Sequence, residues 1–388
     1  MPNDTWRREP YRLLFPLGAV LAWAGVLHWF LQSIGLIETP HVVFHSIAQI
    51  QGFLMCFAVG FLFTAIPRRT GTPPPAPWEM VVALTAPVAT TISAWFERWE
   101  LSQLFWMALV GTLTAFAVRR FLSARATRPP NSFVWVPLSL ATGVLGSVLI
   151  AVGAATERFS LHDLGRTILL QGMFLGLICG VGGMVIPLLT RGEAPPDAAA
   201  TRRDRLERAG HVAAWALLLA TFWIENQATP RLGAALRGVL VLAVLLLSGR
   251  IDRRPTIPGT QRRLVWLSAW LVPAGYFWAA LYPLQHKAGL HIVFIGGFAL
   301  MCFAVATHVS LAHGGYQRLV RGHPWQVRVY GTLLLAAMVV RVFVDADRVH
   351  FLRWVGVSSA LFLTASLVWG WLLARVLLVP PGPGESAS

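Results

Sequence analysis

Charged residues are scarce in this chain. Only 13% of its 388 residues are Asp, Glu, Lys or Arg, whereas 56% are hydrophobic. A soluble domain of this length needs a charged exterior to cover so much apolar surface, so the composition excludes that class. Acidic residues are the rarer sign, with 17 Asp and Glu against 32 Lys and Arg. The composition therefore predicts an all-α membrane protein with a basic excess.

Cysteine is also scarce. The three cysteines are Cys56, Cys179 and Cys302, and each lies within an apolar run where pairing is not expected. No Cys-x-x-Cys-His sequence occurs, which excludes covalent attachment of a c-type haem. No connecting segment is long enough for a further domain, so residues 1–388 are predicted to form a single polytopic membrane domain.

Apolar runs long enough to cross a bilayer fill most of the chain. A membrane-spanning helix needs about 20 predominantly apolar residues. Twelve candidate spans are predicted at 12–34, 42–66, 78–97, 102–118, 133–155, 163–189, 210–226, 231–249, 264–283, 290–312, 327–344 and 351–376.

The arginines predict how these spans are oriented. Basic residues precede span 1 and follow each even-numbered span but the last, as Arg68 and Arg69 do after span 2. Cytoplasmic loops carry an excess of Lys and Arg, so both termini are predicted to be cytoplasmic. The basic residues lie in separate short loops and attract anionic lipid. No nucleic-acid partner is expected, because no soluble domain gathers these residues into one patch.

Part of the sequence recurs. The string LMCFAV occurs at 54–59 and again at 300–305, and a weaker copy of the surrounding pattern lies 120 residues after the first. These copies predict three four-helix repeats, at about 1–130, 131–255 and 256–388. Repeats that run in the same direction are related by an axis along the membrane normal. The fold is therefore predicted to have pseudo-threefold symmetry, with spans 2, 6 and 10 facing a common interior.

Two histidines occupy matching places in the repeats. His45 precedes the first LMCFAV by nine residues, and His291 precedes the second by nine. A lone intramembrane histidine most often bonds a carbonyl or a water, but a repeated pair is costly to bury and indicates function. Neutral imidazole is a ligand of both haem and copper. We predict that His45 and His291 are the axial ligands of one b-type haem between spans 2 and 10.

Two further histidines are candidate copper ligands or supports for this site. His41 precedes His45 by four residues, which places both on one face of a continuous helix. His286 lies in the turn before span 10. The predicted metal-ligand set is thus His41, His45, His286 and His291. If His45 and His291 do not bind haem, His308 and His313 on the opposite side are the alternative.

Three segments resemble the NnrS family. They are HSIAQIQGFLMCFAVGFLFTAIPRRTG (45–71), VGGMVIPLLTRG (181–192) and LHIVFIGGFALMCFAVATHVSLAHGG (290–315). The resemblance implies a bacterial inner-membrane protein that contains haem and copper and takes part in denitrification and nitric oxide stress. The family usually has His-x-His-Glu at the start of the first segment, but Ile47 and Ala48 stand in place of the second His and the Glu.

The predicted architecture also resembles the catalytic subunit of the haem-copper oxidases. There, histidines on the second and tenth helices hold a haem near the outer face, which by analogy points to His45 and His291. The adjacent histidine pair that a binuclear centre requires on span 10 is absent from this sequence. Two alternatives to an NnrS-like role remain: a nitric oxide reductase with a redox partner, and a transporter for a metal or another small substrate. Whether the chain is an enzyme is left open.

Overall fold

The structure is a computed structural model that describes residues 4–123, 129–199 and 201–378. Within these ranges the regular secondary structure is helical throughout, which confirms the all-α class. The chain termini and their predicted cytoplasmic location lie outside the described residues. Long helices are labelled α1 to α12 in chain order. They are Tyr11–Ser33, Val42–Thr70, Pro77–Trp95, Trp99–Leu122, Trp135–Ala155, Phe159–Arg191, Arg202–Gln227, Pro230–Leu247, Thr260–Leu281, Pro283–His313, Trp325–Ala346 and Phe351–Leu378.

Ten of these helices are long and apolar enough to cross a membrane, as judged over the described residues. The two others are α3 and α7. Helix α3 carries several threonines and a buried glutamate, Glu79, which forms ion pairs with Arg119 at 2.6 Å and Arg120 at 3.1 Å. Helix α7 begins with a charged stretch, RRDRLER, so only its second part is apolar. The prediction of a multi-pass membrane protein is confirmed, and for α3 and α7 the crossing stays a prediction.

Three helices form the interior of the bundle. The most apolar part of α2 is 83% buried, that of α6 is 89% buried and that of α10 is 72% buried, whereas the other candidate spans are 33–56% buried. Aromatic side chains join α2 to α10 directly, because the Phe303 ring lies 5.4 Å from Phe53 and 5.5 Å from Phe57. The helices that the sequence predicts to face inward are therefore the most buried ones.

Each of these inner helices contains a wide, π-helical segment near its predicted outer end. The segments are Ala48–Leu54 in α2, Ile168–Gly172 in α6 and Ile292–Ala299 in α10. A π-helix uses i→i+5 hydrogen bonds, so it rotates the residues after it relative to an α-helical phase. Residues before and after each segment therefore do not follow one continuous α-helical phase.

The outer helices close around the inner three. Helix α4 packs against α3, α8 against α9, and α12 against both α11 and α1. The guanidinium of Arg12 on α1 donates to the carbonyl oxygen of Leu377 on α12 at 3.5 Å. The first and last long helices are therefore neighbours, and the arrangement of helices closes on itself.

The basic junctions between helices lie on one face of the bundle, because they contact one another. Arg7 donates to the carbonyl oxygen of Pro75 at 2.8 Å. Arg69 forms an ion pair with Asp197. Arg262 donates to the carbonyl oxygen of Leu189 at 3.0 Å. In the described residues, the segments that follow α2, α6 and α8 therefore share one side, as their arginines predict.

Candidate functional site

His45 lies in the first turn of α2 and is held by the neighbouring helix. Its Nδ1 lies 2.7 Å from the carbonyl oxygen of Gly25 on α1. A carbonyl only accepts, so Nδ1 carries the proton and Nε2 carries the free lone pair. Gly25 permits this approach because a Cβ there would lie 2.4 Å from Gln49 Nε2 and 2.8 Å from Ala48 Cβ. The site thus requires glycine at position 25.

His291 has the same tautomer with a different support. Its Nδ1 lies 2.7 Å from the carbonyl oxygen of Lys287, one turn earlier in α10. His291 is the last residue before the π-helical segment of that helix. Its Nε2 is therefore the atom free to bind a metal. A hydrogen bond from the second imidazole nitrogen to a carbonyl is the usual support of a histidine that ligates a metal.

The two histidines share one region of the bundle. They lie within electrostatic range of each other, and the positive charge of Arg341 on α11 lies within range of both. Arg341 is itself largely buried and lies 3.9 Å from Asp345. Arg341 and Asp345 thus form a charged pair on the helix that lies near both imidazoles.

The local contacts of His45 and His291 are not copies of each other. In α6 the position 120 residues after His45 is Gly165, and a Cβ there would lie 2.6 Å from the carbonyl oxygen of Gly146. In α10 the residue with the matching contact is Gly289, where an added Cβ would lie 2.7 Å from the carbonyl oxygen of Gly275 on α9. His291 lies two residues after Gly289, so it does not occupy the same place. The π-helical segments differ in length, with seven residues in α2 and eight in α10, so the helical phase before them is not shared.

His41 does not share a helical face with His45. Helix α2 begins at Val42, and His41 is the residue before it, with φ −85° and ψ 83°. Its ring lies against Trp95 with 4.6 Å between centroids, and its Nδ1 is 4.0 Å from Glu97. The prediction that His41 and His45 share a helical face is wrong, because the backbone at His41 itself is not helical.

His286 belongs to a buried ionic cluster between α7, α8 and α10. Its Nε2 lies 3.4 Å from Glu225, and the second oxygen of Glu225 lies 2.6 Å from Arg237. Arg237 is fully buried and donates to Gln171 at 3.1 Å and to Thr221 at 3.2 Å. Glu225 is thus held by two partners, so its carboxylate is not free to pass protons through the bundle.

His28 is a residue that sequence reasoning missed. Its side chain is only 3% exposed, and neither ring nitrogen has a hydrogen bond of good geometry, although the carbonyl of Ala24 lies close enough to interact. Its ring centroid lies 6.0 Å from that of His45. The sequence places His28 near the outer end of span 1, but it does not show which neighbouring helix this side chain faces.

The candidate ligands form no ready-made metal cluster. In residues 4–123, 129–199 and 201–378, no three or more His, Cys, Asp or Glu side chains converge as a metal site. In the alternative pair, His313 is engaged, since it bonds Arg68 and lies 5.8 Å from Tyr11 between ring centroids. The Nδ1 of His308 is buried without a hydrogen-bond partner. What the structure offers is two imidazoles with free Nε2 atoms on two inner helices.

Comparison with known proteins agrees with this architecture. No curated protein matches the chain at a significant level. The family model NnrS, described as NnrS protein, matches residues 5–380. That range contains α1 to α12, His45, His291 and all three segments on which the resemblance depends. The chain therefore belongs to the NnrS protein family.

Proposed function

We propose that this protein binds a b-type haem through His45 and His291 and handles nitric oxide at the membrane, in a nitrosative-stress or denitrification response. The observation that carries the proposal is the shared tautomer. Each Nδ1 donates to a backbone carbonyl at 2.7 Å, which leaves each Nε2 free to bind iron. Both side chains lie on inner helices of a member of the NnrS family.

The chain's own residues have separate roles in this proposal. The haem, when bound, would supply an iron that exchanges one electron, or that binds one small ligand in place of one of the two imidazoles. The carbonyls of Gly25 and Lys287 fix the rotation of the two imidazoles. Arg341 supplies a positive charge beside them.

Copper is proposed as a second metal of the protein. The sequence nominates His41 and His286 as ligands or supports besides the haem ligands. In the structure these two side chains face Glu97 and Glu225, so a copper site that includes them requires those contacts to open. The ring centroid of His28 lies 6.0 Å from that of His45. A copper site that includes His28 would not require an ion pair to open.

We propose that all twelve long helices span the inner membrane, as three four-helix repeats about an approximate threefold axis, with cytoplasmic termini. Support comes from the deep burial of α2, α6 and α10. Each of these helices also carries a π-helical segment at a similar position. The basic loops share one face, and cytoplasmic loops are the basic ones.

A visible absorption spectrum of the purified protein tests the haem assignment. We expect a low-spin haem in the parent protein. His45→Ala and His291→Ala should each remove one axial ligand, and thus give a high-spin spectrum or loss of haem. Added imidazole should restore the low-spin spectrum where haem is retained. His350→Ala is the control, because His350 is exposed and bonds Asp347 at 2.9 Å.

Full haem content and an unchanged spectrum in both alanine variants would refute the assignment. The ligands would then have to be sought at His308 and His313, on the opposite side of the bundle.

A further inference from the structure

A small cavity lies at the centre of the bundle, where α2, α6 and α10 meet. Its volume is about 80 Å³. Phe57 and Leu62 line it from α2, Gly182 from α6, and Cys302, Val305 and Ala306 from α10. Most of the lining residues are buried, whereas Cys302 and Val305 are partly exposed, so the cavity lies between the inner helices without being sealed.

The chemistry of the lining is apolar. Apart from the thiol of Cys302, the side chains that line the cavity are hydrocarbon, aromatic or thioether groups, or glycine. A buried water needs two to four polar partners, and a cavity without them stays dry. The backbone groups around it are engaged in the inner helices. The cavity therefore favours an uncharged apolar guest over water.

One glycine creates much of the space. Gly182 lies 120 residues after Leu62, so the second repeat has a hydrogen atom where the first has an isobutyl group. A Cβ at Gly182 would approach only the Cδ1 of Ile186, at 3.2 Å, with its next neighbour at 3.9 Å. Unlike Gly25, Gly182 is thus not required by a close contact, and its small size leaves room instead.

The size of the cavity limits its guest. An apolar cavity of about 150 Å³ binds benzene or xenon. At about 80 Å³ this cavity is roughly half as large, so it favours a guest of two or three heavy atoms over a six-membered ring. We infer that the cavity is a binding site for a small apolar gas molecule of diatomic size. The inference depends on the cavity alone and holds whether or not the protein binds haem.

Xenon is the probe that tests this inference, because it has a suitable size and is visible by anomalous scattering. Crystals of the full chain, pressurised with xenon, should show one xenon atom among Phe57, Gly182 and Cys302. Gly182→Leu should fill the space and lower the xenon occupancy at least about tenfold at equal pressure. Val305→Phe should do the same from α10. The matched control is Gly111→Leu on α4, where an added Cβ meets nothing within 4 Å.

Three results would overturn the inference: no xenon in the cavity of the parent protein, electron density for a lipid acyl chain there, or unchanged occupancy in Gly182→Leu. The parent crystals decide the question even if a filling variant fails to fold. Haem content is read separately from the visible spectrum, so failure of this inference and failure of the haem assignment are distinguishable.

Discussion

Removal of the guanidinium at position 237 should destabilise the protein more than loss of an exposed charge. In Arg237→Met, Glu225 stays largely buried with only His286 beside it, at 3.4 Å. An ion pair of 2.6 Å disappears, and Gln171 and Thr221 each lose a donor. Loss of one partner of a buried pair costs about 3–5 kcal/mol, because it leaves an uncompensated charge in the interior.

The expected magnitude depends on burial, and a double variant isolates it. Arg237 is 0% exposed and Glu225 is 11% exposed. In the double variant with Glu225→Gln, the carboxylate charge is removed together with the guanidinium. Replacement of a buried pair by neutral groups of similar volume is often close to neutral. We therefore expect the double variant to recover most of the stability that Arg237→Met loses.

The assay is reversible chemical unfolding of the purified protein in detergent, followed by tryptophan fluorescence. Arg166→Met is the control, because Arg166 and its partner Asp163 are 59% and 57% exposed at 3.4 Å. Exposed pairs contribute about 0–1 kcal/mol. The reasoning would be refuted if Arg237→Met unfolds like the control, or if the double variant is no more stable than Arg237→Met.

Three further predictions concern orientation, His28 and acid stability. Reporter fusions in the loops after α2 and α6 should read cytoplasmic, and a periplasmic reading at either loop would contradict the proposed topology. His28→Phe should raise the free energy of unfolding of the metal-free protein, because it removes a buried imidazole without a well-formed hydrogen bond; a lower value would show that the imidazole has an undetected partner. Hydrogen bonds from Trp354 and His350 hold the pKa of Asp347 below its ordinary value of 3.8. The stabilisation that Asp347 contributes is present above pH 3.8 and is lost as the pH falls through the lowered pKa. Asp347→Asn should therefore flatten the pH dependence of the thermal midpoint below pH 3.8. An unchanged slope would contradict this role.

Much of the helix arrangement could be predicted from sequence because hydrophobic length and arginine placement are local signals. The bounds of α1 and α9 lie close to the predicted spans. The recurrence of LMCFAV identified α2 and α10 as inner helices, since residues that repeat occupy similar environments. For α3 and α7 the apolar signal is weaker, because Glu79 lies in the first and a charged stretch opens the second.

The candidate site was less accessible to sequence reasoning. A helical period gives the face on which a residue lies, but not the helix that this face meets. Thus the contact between His28 and His45 could not be predicted, nor could that between His286 and Glu225. The helix start at Val42 and the π-helical segment from Ala48 to Leu54 change the phase around His45, and neither has a clear sequence signal.

The packing of α12 against α1 has a consequence for engineering. These helices touch along their length and meet at Arg12 and Leu377. A short linker from the end of α12 to the start of α1 would join segments that already lie together. New ends could then be opened in the loop between α6 and α7, where residues 192–194 are exposed, since exposed loops tolerate circular permutation. The order in which the helices are inserted during synthesis would change, while their neighbours in the assembled bundle would not.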